Sequence, residues 1–69
     1  MGFAVRIVDY FDWEMTYFVQ ETDEEKARQK AYQRAKETWS CVLPDTLEEA
    51  DASDRVYVET LAKIDQIIL

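Results

Sequence analysis

The chain has 69 residues, is 48% hydrophobic and 13% aromatic, and carries a formal net charge of −7. This length allows one small domain, residues 1–69, and this apolar content excludes an intrinsically disordered chain. The sequence has no His and one Cys, which removes the commonest general base and the usual zinc ligands and leaves no partner for a disulfide. No apolar run is long enough to cross a bilayer. We therefore expect a non-enzymatic protein of the reducing cytoplasm, with no cofactor, no metal and no membrane partner.

Two segments near the N-terminus have the composition of β-strands. Residues 3–8 are apolar on both faces, which suits a central strand, and residues 15–21 are rich in aromatic and β-branched side chains. Together they predict an antiparallel hairpin. Arg6 is the one charged residue of the first segment. We expect it to pair with an acid on an open face of the sheet.

Residues 9–14, with the sequence DYFDWE, connect the two strands, where a short polar turn is the usual connection. Two interpretations of the rings are open. Tyr10, Phe11 and Trp13 fold back over the end of a small core, or one or two of them stay exposed. Exposed rings among the acids of this segment would form an aromatic anchor with a charged rim, the composition of an interface hot spot. A partner's Arg or Lys could then contact a carboxylate and a ring face together.

A helix is predicted to follow the hairpin. Thr22 and Glu25 have the spacing of a capping box, which would place the start of the helix at Thr22. Small and aromatic side chains then recur at helical spacing and predict the face that packs on the sheet, with Trp39 covering the end of that interface. These residues are Ala27, Ala31, Tyr32, Ala35, Thr38 and Trp39. Pro44 predicts that the helix ends within residues 40–44.

The C-terminal part of the chain is less regular. Residues 45–54 hold five acids and no base and predict a loop with one short helical turn, which Thr46 and Glu49 could cap. Residues 56–69 fit a helical face by periodicity and a strand by residue type. A third strand, reached by a right-handed crossover, would complete a sheet that two strands alone would leave marginal. We therefore predict an α+β fold of type ββαβ with strand order 2-1-3, and ββαα is the alternative.

Charge is distributed unevenly along the chain. Residues 22–40 carry five bases and four acids, a net charge of +1. Because the whole chain has a net charge of −7, the remaining residues together have a net charge of −8. Acids at the hairpin tip and in residues 45–54 would repel nucleic acid and attract a basic protein surface. The alternative is that the acids only keep a small protein in solution. Cys41 lies among apolar residues and is expected to be a small core residue rather than a reactive thiol.

In order along the chain, these segments resemble a group of small viral proteins. The hairpin FAVRIVDYF and MTYFVQ, the helix opened by TDEEKARQKA and the apolar tail LAKIDQII are similar to short acidic phage and prophage proteins built from a hairpin, a helix and a strand. Several such proteins inhibit bacterial defence, anti-CRISPR proteins among them. The resemblance implies a phage-encoded inhibitor that mimics nucleic acid and occludes the basic nucleic-acid-binding site of a host defence complex.

The alternative function is a self-associating structural or accessory subunit that pairs through an edge strand or an open sheet face. The inhibitor is expected to be a monomer or weak dimer in the host bacterial cytoplasm. Its expected contacts are the acids of the two acidic segments and one aromatic ring. They are Asp9, Asp12, Trp13, Glu14, Asp45, Glu48, Glu49, Asp51 and Asp54.

Overall fold

A computed structural model describes residues 1–39 and 42–64 of the chain. Within these ranges the elements, in chain order, are β1 (Gly2–Val8), β2 (Glu14–Val19), α1 (Glu24–Trp39), α2 (Leu47–Ala52) and β3 (Tyr57–Ile64). The predicted hairpin and the short helical turn within residues 45–54 are confirmed, although β2 begins one residue earlier than predicted and ends at Val19. The predictions for Cys41 and for residues 65–69 lie outside the described residues.

The strands form one antiparallel sheet in the order β2-β1-β3, which confirms the ββαβ fold with strand order 2-1-3. β1 is the central strand, and all of its residues except Arg6 are buried, as its apolar composition on both faces predicts. Val5 lies opposite Tyr17 of β2 and Thr60 of β3. The alternative ββαα is wrong, because residues 57–64 pair with the free side of β1 and satisfy its backbone hydrogen bonds.

α1 packs on the sheet through small side chains. Ala27, Ala31 and Ala35 are buried, as predicted, so the helix backbone lies close to the strands. Val5 and Ile7 of β1 belong to the same core. The core is therefore a single layer between one face of the sheet and the helical segments that cover it, and in a chain of 69 residues it is small.

The start of α1 differs from the predicted one. The Asp23 carboxylate accepts a hydrogen bond from the Lys26 backbone N–H at 2.9 Å, and the Asp23 carbonyl accepts one from Ala27 at 3.0 Å. Asp23 is therefore the N-cap, and the predicted cap at Thr22 is wrong. Both residue types can cap a helix, but the carboxylate also places negative charge at the positive end of the helix dipole.

The predicted position of Trp39 at the helix–sheet interface is also wrong. Trp39 is the last residue of α1 and is 45% exposed. At this last turn the helix lies beside the connection between β1 and β2, where Trp39 lines a cavity with Phe11 and Trp13. The indole ring therefore lies at this cavity and not within the buried alanine stripe of α1.

Two side chains of α1 hold the C-terminal half of the chain against the helix. The buried hydroxyl of Tyr32 donates a hydrogen bond to the Pro44 carbonyl. The guanidinium of Arg28 forms an ion pair with Asp51 of α2 and donates to the Val58 carbonyl of β3 at 3.2 Å. Tyr32 thereby holds the start of this segment against α1, and Arg28 holds α2 and β3 against the same helix.

The short helix α2 begins with the predicted cap. The Thr46 hydroxyl accepts a hydrogen bond from the Glu49 backbone N–H at 3.1 Å. Leu47 and Ala50 are buried against the core, while the acids of the helix lie on its exposed side. α2 thus presents carboxylates outward from a fixed backbone.

Candidate partner-binding groove

Asp9 builds the turn between β1 and β2. Its Oδ1 accepts hydrogen bonds from the backbone N–H groups of Phe11, at 2.8 Å, and Trp13, at 3.1 Å. Its own N–H donates to the Trp13 carbonyl at 3.1 Å and closes the hairpin. Asp9 is only 3% exposed. The prediction that the Asp9 carboxylate belongs to an exposed rim is therefore wrong. The residue is buried, and one of its carboxylate oxygens holds the turn.

Asp12 completes the turn in the left-handed region. Its φ is 63°, and its N–H donates to the Asp9 carbonyl at 3.1 Å. This is a three-residue hairpin connection in which the last residue takes a positive φ, a conformation that Asp tolerates better than most side chains. The side chain of Asp12 is exposed, as the prediction of a rim acid requires.

The three rings of the turn lie in different surroundings. Tyr10 is partly buried against the core, with the Arg55 guanidinium 5.6 Å from its ring centre. Phe11 is 67% exposed and Trp13 is 71% exposed. Phe11 and Trp13 therefore stay exposed, which is the second of the two interpretations that the sequence left open. Of the three rings, only Tyr10 packs against the core.

A groove of about 330 Å³ opens between this turn and the end of α1; it is called the turn groove below. Its apolar walls come from two segments that are distant in sequence, one with residues 11–15 and one with residues 39 and 42. They are formed by Phe11, Trp13, Met15, Trp39 and Val42. A hydrogen bond from the Tyr10 N–H to the Val42 carbonyl, at 3.3 Å, holds the turn beside the second of these segments.

The charged residues of the turn groove are acids. Asp9 and Glu14 line it, and no base is among the described lining residues. The Oδ2 atom of Asp9 accepts no hydrogen bond from the described part of the chain. The Glu14 Oε1 lies 3.2 Å from the Arg6 guanidinium, which also binds Glu59 at 3.1 Å. The predicted ion pair of Arg6 is thus confirmed, and it fixes one carboxylate at the edge of the groove.

The predicted contact residues of the second acidic segment lie on a separate surface. Glu48, Glu49 and Asp54 are exposed and form no ion pair with any described residue. Asp51 is engaged in the ion pair with Arg28, and Asp45 lies 3.5 Å from Lys36. None of these acids lines the turn groove. The predicted site residues therefore fall into two groups, and Asp51 serves the fold by joining α2 to α1.

Sequence reasoning missed three walls of the groove: Met15, Trp39 and Val42. Trp39 is predicted to cover the helix–sheet interface, Met15 begins the predicted second strand, and Val42 lies in an irregular connection. The available signal was the size of Trp39, which is too large to continue a stripe of alanines packed close to a sheet.

The remaining observations on function are negative. Among the described residues no group of three or more His, Cys, Asp or Glu side chains could hold a metal ion. In the same ranges no helix combines the length and apolar character needed to span a membrane. No family model, no curated protein and no solved structure matches the chain.

Proposed function

We propose that this protein acts by binding another protein through the turn groove, without catalysing a reaction. The observation that carries the proposal is the exposure of Phe11, Trp13 and Trp39 around one cavity. Aromatic rings contribute large apolar areas to an interface and have few rotamers to fix, so they are frequent binding hot spots. A domain this small gains no core stability from rings left in water, which favours a role for them outside the fold.

The charges favour a partner with a basic surface. Asp9 and Glu14 line the groove, and Asp12 is exposed beside it. Glu48 and Glu49 add unpaired negative charge on α2, in a chain of net charge −7. Such a field accelerates encounter with a basic protein and opposes direct binding of nucleic acid.

The specific form of the proposal is an inhibitor that competes with nucleic acid. A phage-type protein of this shape and charge would occupy the basic nucleic-acid-binding surface of a host defence complex in the bacterial cytoplasm. The resemblance of the sequence pattern to short acidic phage proteins and the net charge of −7 are the reasons for proposing this form. Competition follows because the protein and a nucleic acid would both offer negative charge to the same basic residues.

Capture from a bacterial lysate with a matched pair of variants tests the proposal. Trp13→Ala removes a ring of the groove, and Phe18→Ala removes a ring of similar exposure, 77%, that does not line it. We expect wild type and Phe18→Ala to retain a nucleic-acid-binding protein that Trp13→Ala loses. The purified partner should release its nucleic acid when wild type is added. Equal capture by Trp13→Ala, or a partner that keeps its nucleic acid, would contradict the proposal.

A second candidate is a self-associating subunit, which one observation favours. Phe18, Tyr57 and Leu61 are large exposed side chains on β2 and β3, and within the described residues these strands are the two edges of the sheet. Open edges and exposed rings can pair with a second copy. Sedimentation over a concentration series tests this function: a stable dimer that Phe18→Ser dissociates would support it. A monomer at all concentrations, with or without salt, would exclude it.

A further inference from the structure

We propose that the turn groove is a subsite for one arginine side chain of the basic partner. This inference rests on the proposed function and specifies the group that the groove recognises. The groove volume of about 330 Å³ lies at the lower end of the range of about 300–1,000 Å³ found for small-ligand sites. A groove of this size fits a single long side chain and is too small for a helix.

The apolar walls suit a flat and weakly hydrated cation. Both tryptophans of the chain, Trp13 and Trp39, line the groove together with Phe11. Aromatic rings attract cations at their faces, and Trp does so most strongly. A guanidinium stacks on such rings and is less strongly hydrated than an ammonium group, so it loses less on leaving water. Met15 and Val42 offer apolar surface to the methylene stem of an arginine.

Asp9 supplies the acceptor for the guanidinium. Its Oδ1 takes two backbone N–H donors, at 2.8 and 3.1 Å, while its Oδ2 accepts none from the described residues. Asp9 is 3% exposed as a whole residue, yet its Oδ2 is not among the fully buried atoms that lack a partner in the described part of the chain. Because Asp9 lines the groove, this oxygen can exchange a water molecule for an incoming charged donor. A guanidinium offers several N–H donors in one plane, and Glu14 adds a second carboxylate that Arg6 holds in place.

A titration with blocked tripeptides tests the subsite directly. The probes are acetyl-Gly-Xaa-Gly-amide peptides in which Xaa is arginine, citrulline or trimethyl-lysine. Because both tryptophans line the groove, their indole N–H signals in NMR spectra report its occupancy. We expect the arginine peptide to shift both signals and to bind at least about tenfold more tightly than the citrulline peptide, which has the same shape without the charge. Equal binding of the two would show a merely apolar groove and overturn the proposal. Tighter binding of trimethyl-lysine than arginine would identify a quaternary ammonium site and also overturn it.

Two carboxylate variants and one control locate the charge. Asp9→Asn keeps an oxygen for the turn and removes the negative charge, and Glu14→Gln does the same at the edge of the groove. We expect the first to weaken arginine binding by about tenfold or more and the second by less. Glu24→Gln is the control, because Glu24 lies at the other end of α1, about 22 Å from Trp39 along the helix axis. If Asp9→Asn does not fold, two other results decide. The proposal is overturned when Glu14→Gln binds the arginine peptide as tightly as wild type does and wild type binds the arginine and citrulline peptides equally.

Failure of the subsite and failure of the proposed function give different results. If Trp13→Ala loses the captured partner while the arginine peptide does not bind, the groove binds a partner through another group and the arginine subsite is wrong. If the arginine peptide binds with the expected preference while Trp13→Ala captures the partner as well as wild type does, the subsite stands and the proposed function is wrong.

Discussion

Asp9 fixes the backbone that holds two exposed rings in place. Its Oδ1 binds the N–H groups of Phe11 and Trp13, and its carbonyl binds that of Asp12. These bonds set the directions in which the two aromatic residues leave the turn. A residue that sequence analysis assigns to partner contact is thus also the residue that shapes the contact surface.

Replacing Asp9 with Ala should destabilise the fold. The substitution leaves the N–H groups of Phe11 and Trp13 without their acceptor, and because these bonds are only partly buried we expect a cost of about 1 kcal/mol. Urea denaturation measures the change in the free energy of unfolding. Asp9→Asn is the control, since its amide oxygen can accept the same bonds and should preserve most of the stability. An Asp9→Ala protein as stable as wild type would show that the turn does not depend on this side chain.

Tyr32 should make stability fall at alkaline pH. Burial, together with nearby negative charge from Tyr10, Glu49, Asp45 and Asp51, raises the pKa of Tyr32 from 10.0 to about 12. The folded protein therefore holds this proton more tightly than the unfolded chain does. The stabilisation is complete below pH 10 and is lost as the pH rises from 10 to about 12.

Tyr32→Phe tests this pH dependence. At neutral pH the variant should lose about 1 kcal/mol, because the hydrogen bond to the Pro44 carbonyl is removed. Above pH 10 the difference from wild type should narrow, since the variant has no buried hydroxyl to ionise. Denaturation midpoints below and above that pH measure both effects. A difference that stays constant across this range would contradict the assigned role of the hydroxyl.

The cap of α1 gives a prediction about a helix end. Asp23→Ala should lower the free energy of unfolding by about 1 kcal/mol, because the Lys26 N–H loses its acceptor. Thr22→Ala, one residue earlier, should leave it nearly unchanged. Chemical denaturation of the two variants side by side separates these effects. A larger loss for Thr22→Ala would restore the capping box that the sequence suggests.

The arrangement of the elements could be predicted because local patterns identify the first two strands and the helix, and the sheet then needs a third strand. The apolar composition of residues 3–8 on both faces requires a neighbour on each side, and β2 and β3 are those neighbours. The last strand has an ambiguous periodicity, and the need to complete the sheet decides it. The start of α1 could not be predicted because Thr22 and Asp23 are both good caps, and only the geometry selects between them.

The candidate site could be predicted only in part. The exposed state of Trp13 and Asp12 agrees with an aromatic anchor beside an acid. The burial of Asp9 could not be read from the sequence, because it depends on the turn geometry that the positive φ of Asp12 completes. Trp39 lines the groove because the last residue of α1 lies beside the turn between β1 and β2, and side-chain periodicity does not show where the end of a helix lies relative to a turn.

The acids of α2 should govern the rate of association more than the strength of the final contact. Glu48 and Glu49 are exposed, form no ion pair with the described residues and do not line the turn groove. Glu48→Gln combined with Glu49→Gln should slow association with a basic partner and flatten its salt dependence, with little change in dissociation. Stopped-flow or surface-based kinetics at several salt concentrations measure this. An unchanged association rate would show that these acids only keep the protein in solution.

The folded domain and its binding surface use different aromatic residues, and Trp13 separates the two roles most clearly. The free energy of unfolding and the partner affinity of Trp13→Ala should be measured on the same preparation as wild type. We expect the stability to stay within about 0.5 kcal/mol, because the ring is 71% exposed, and the affinity to fall by roughly 2 kcal/mol or more, which is about thirtyfold. A stability loss of about 3–5 kcal/mol, as a buried Trp would give, or an undiminished affinity, would contradict a partner-binding role for the turn groove.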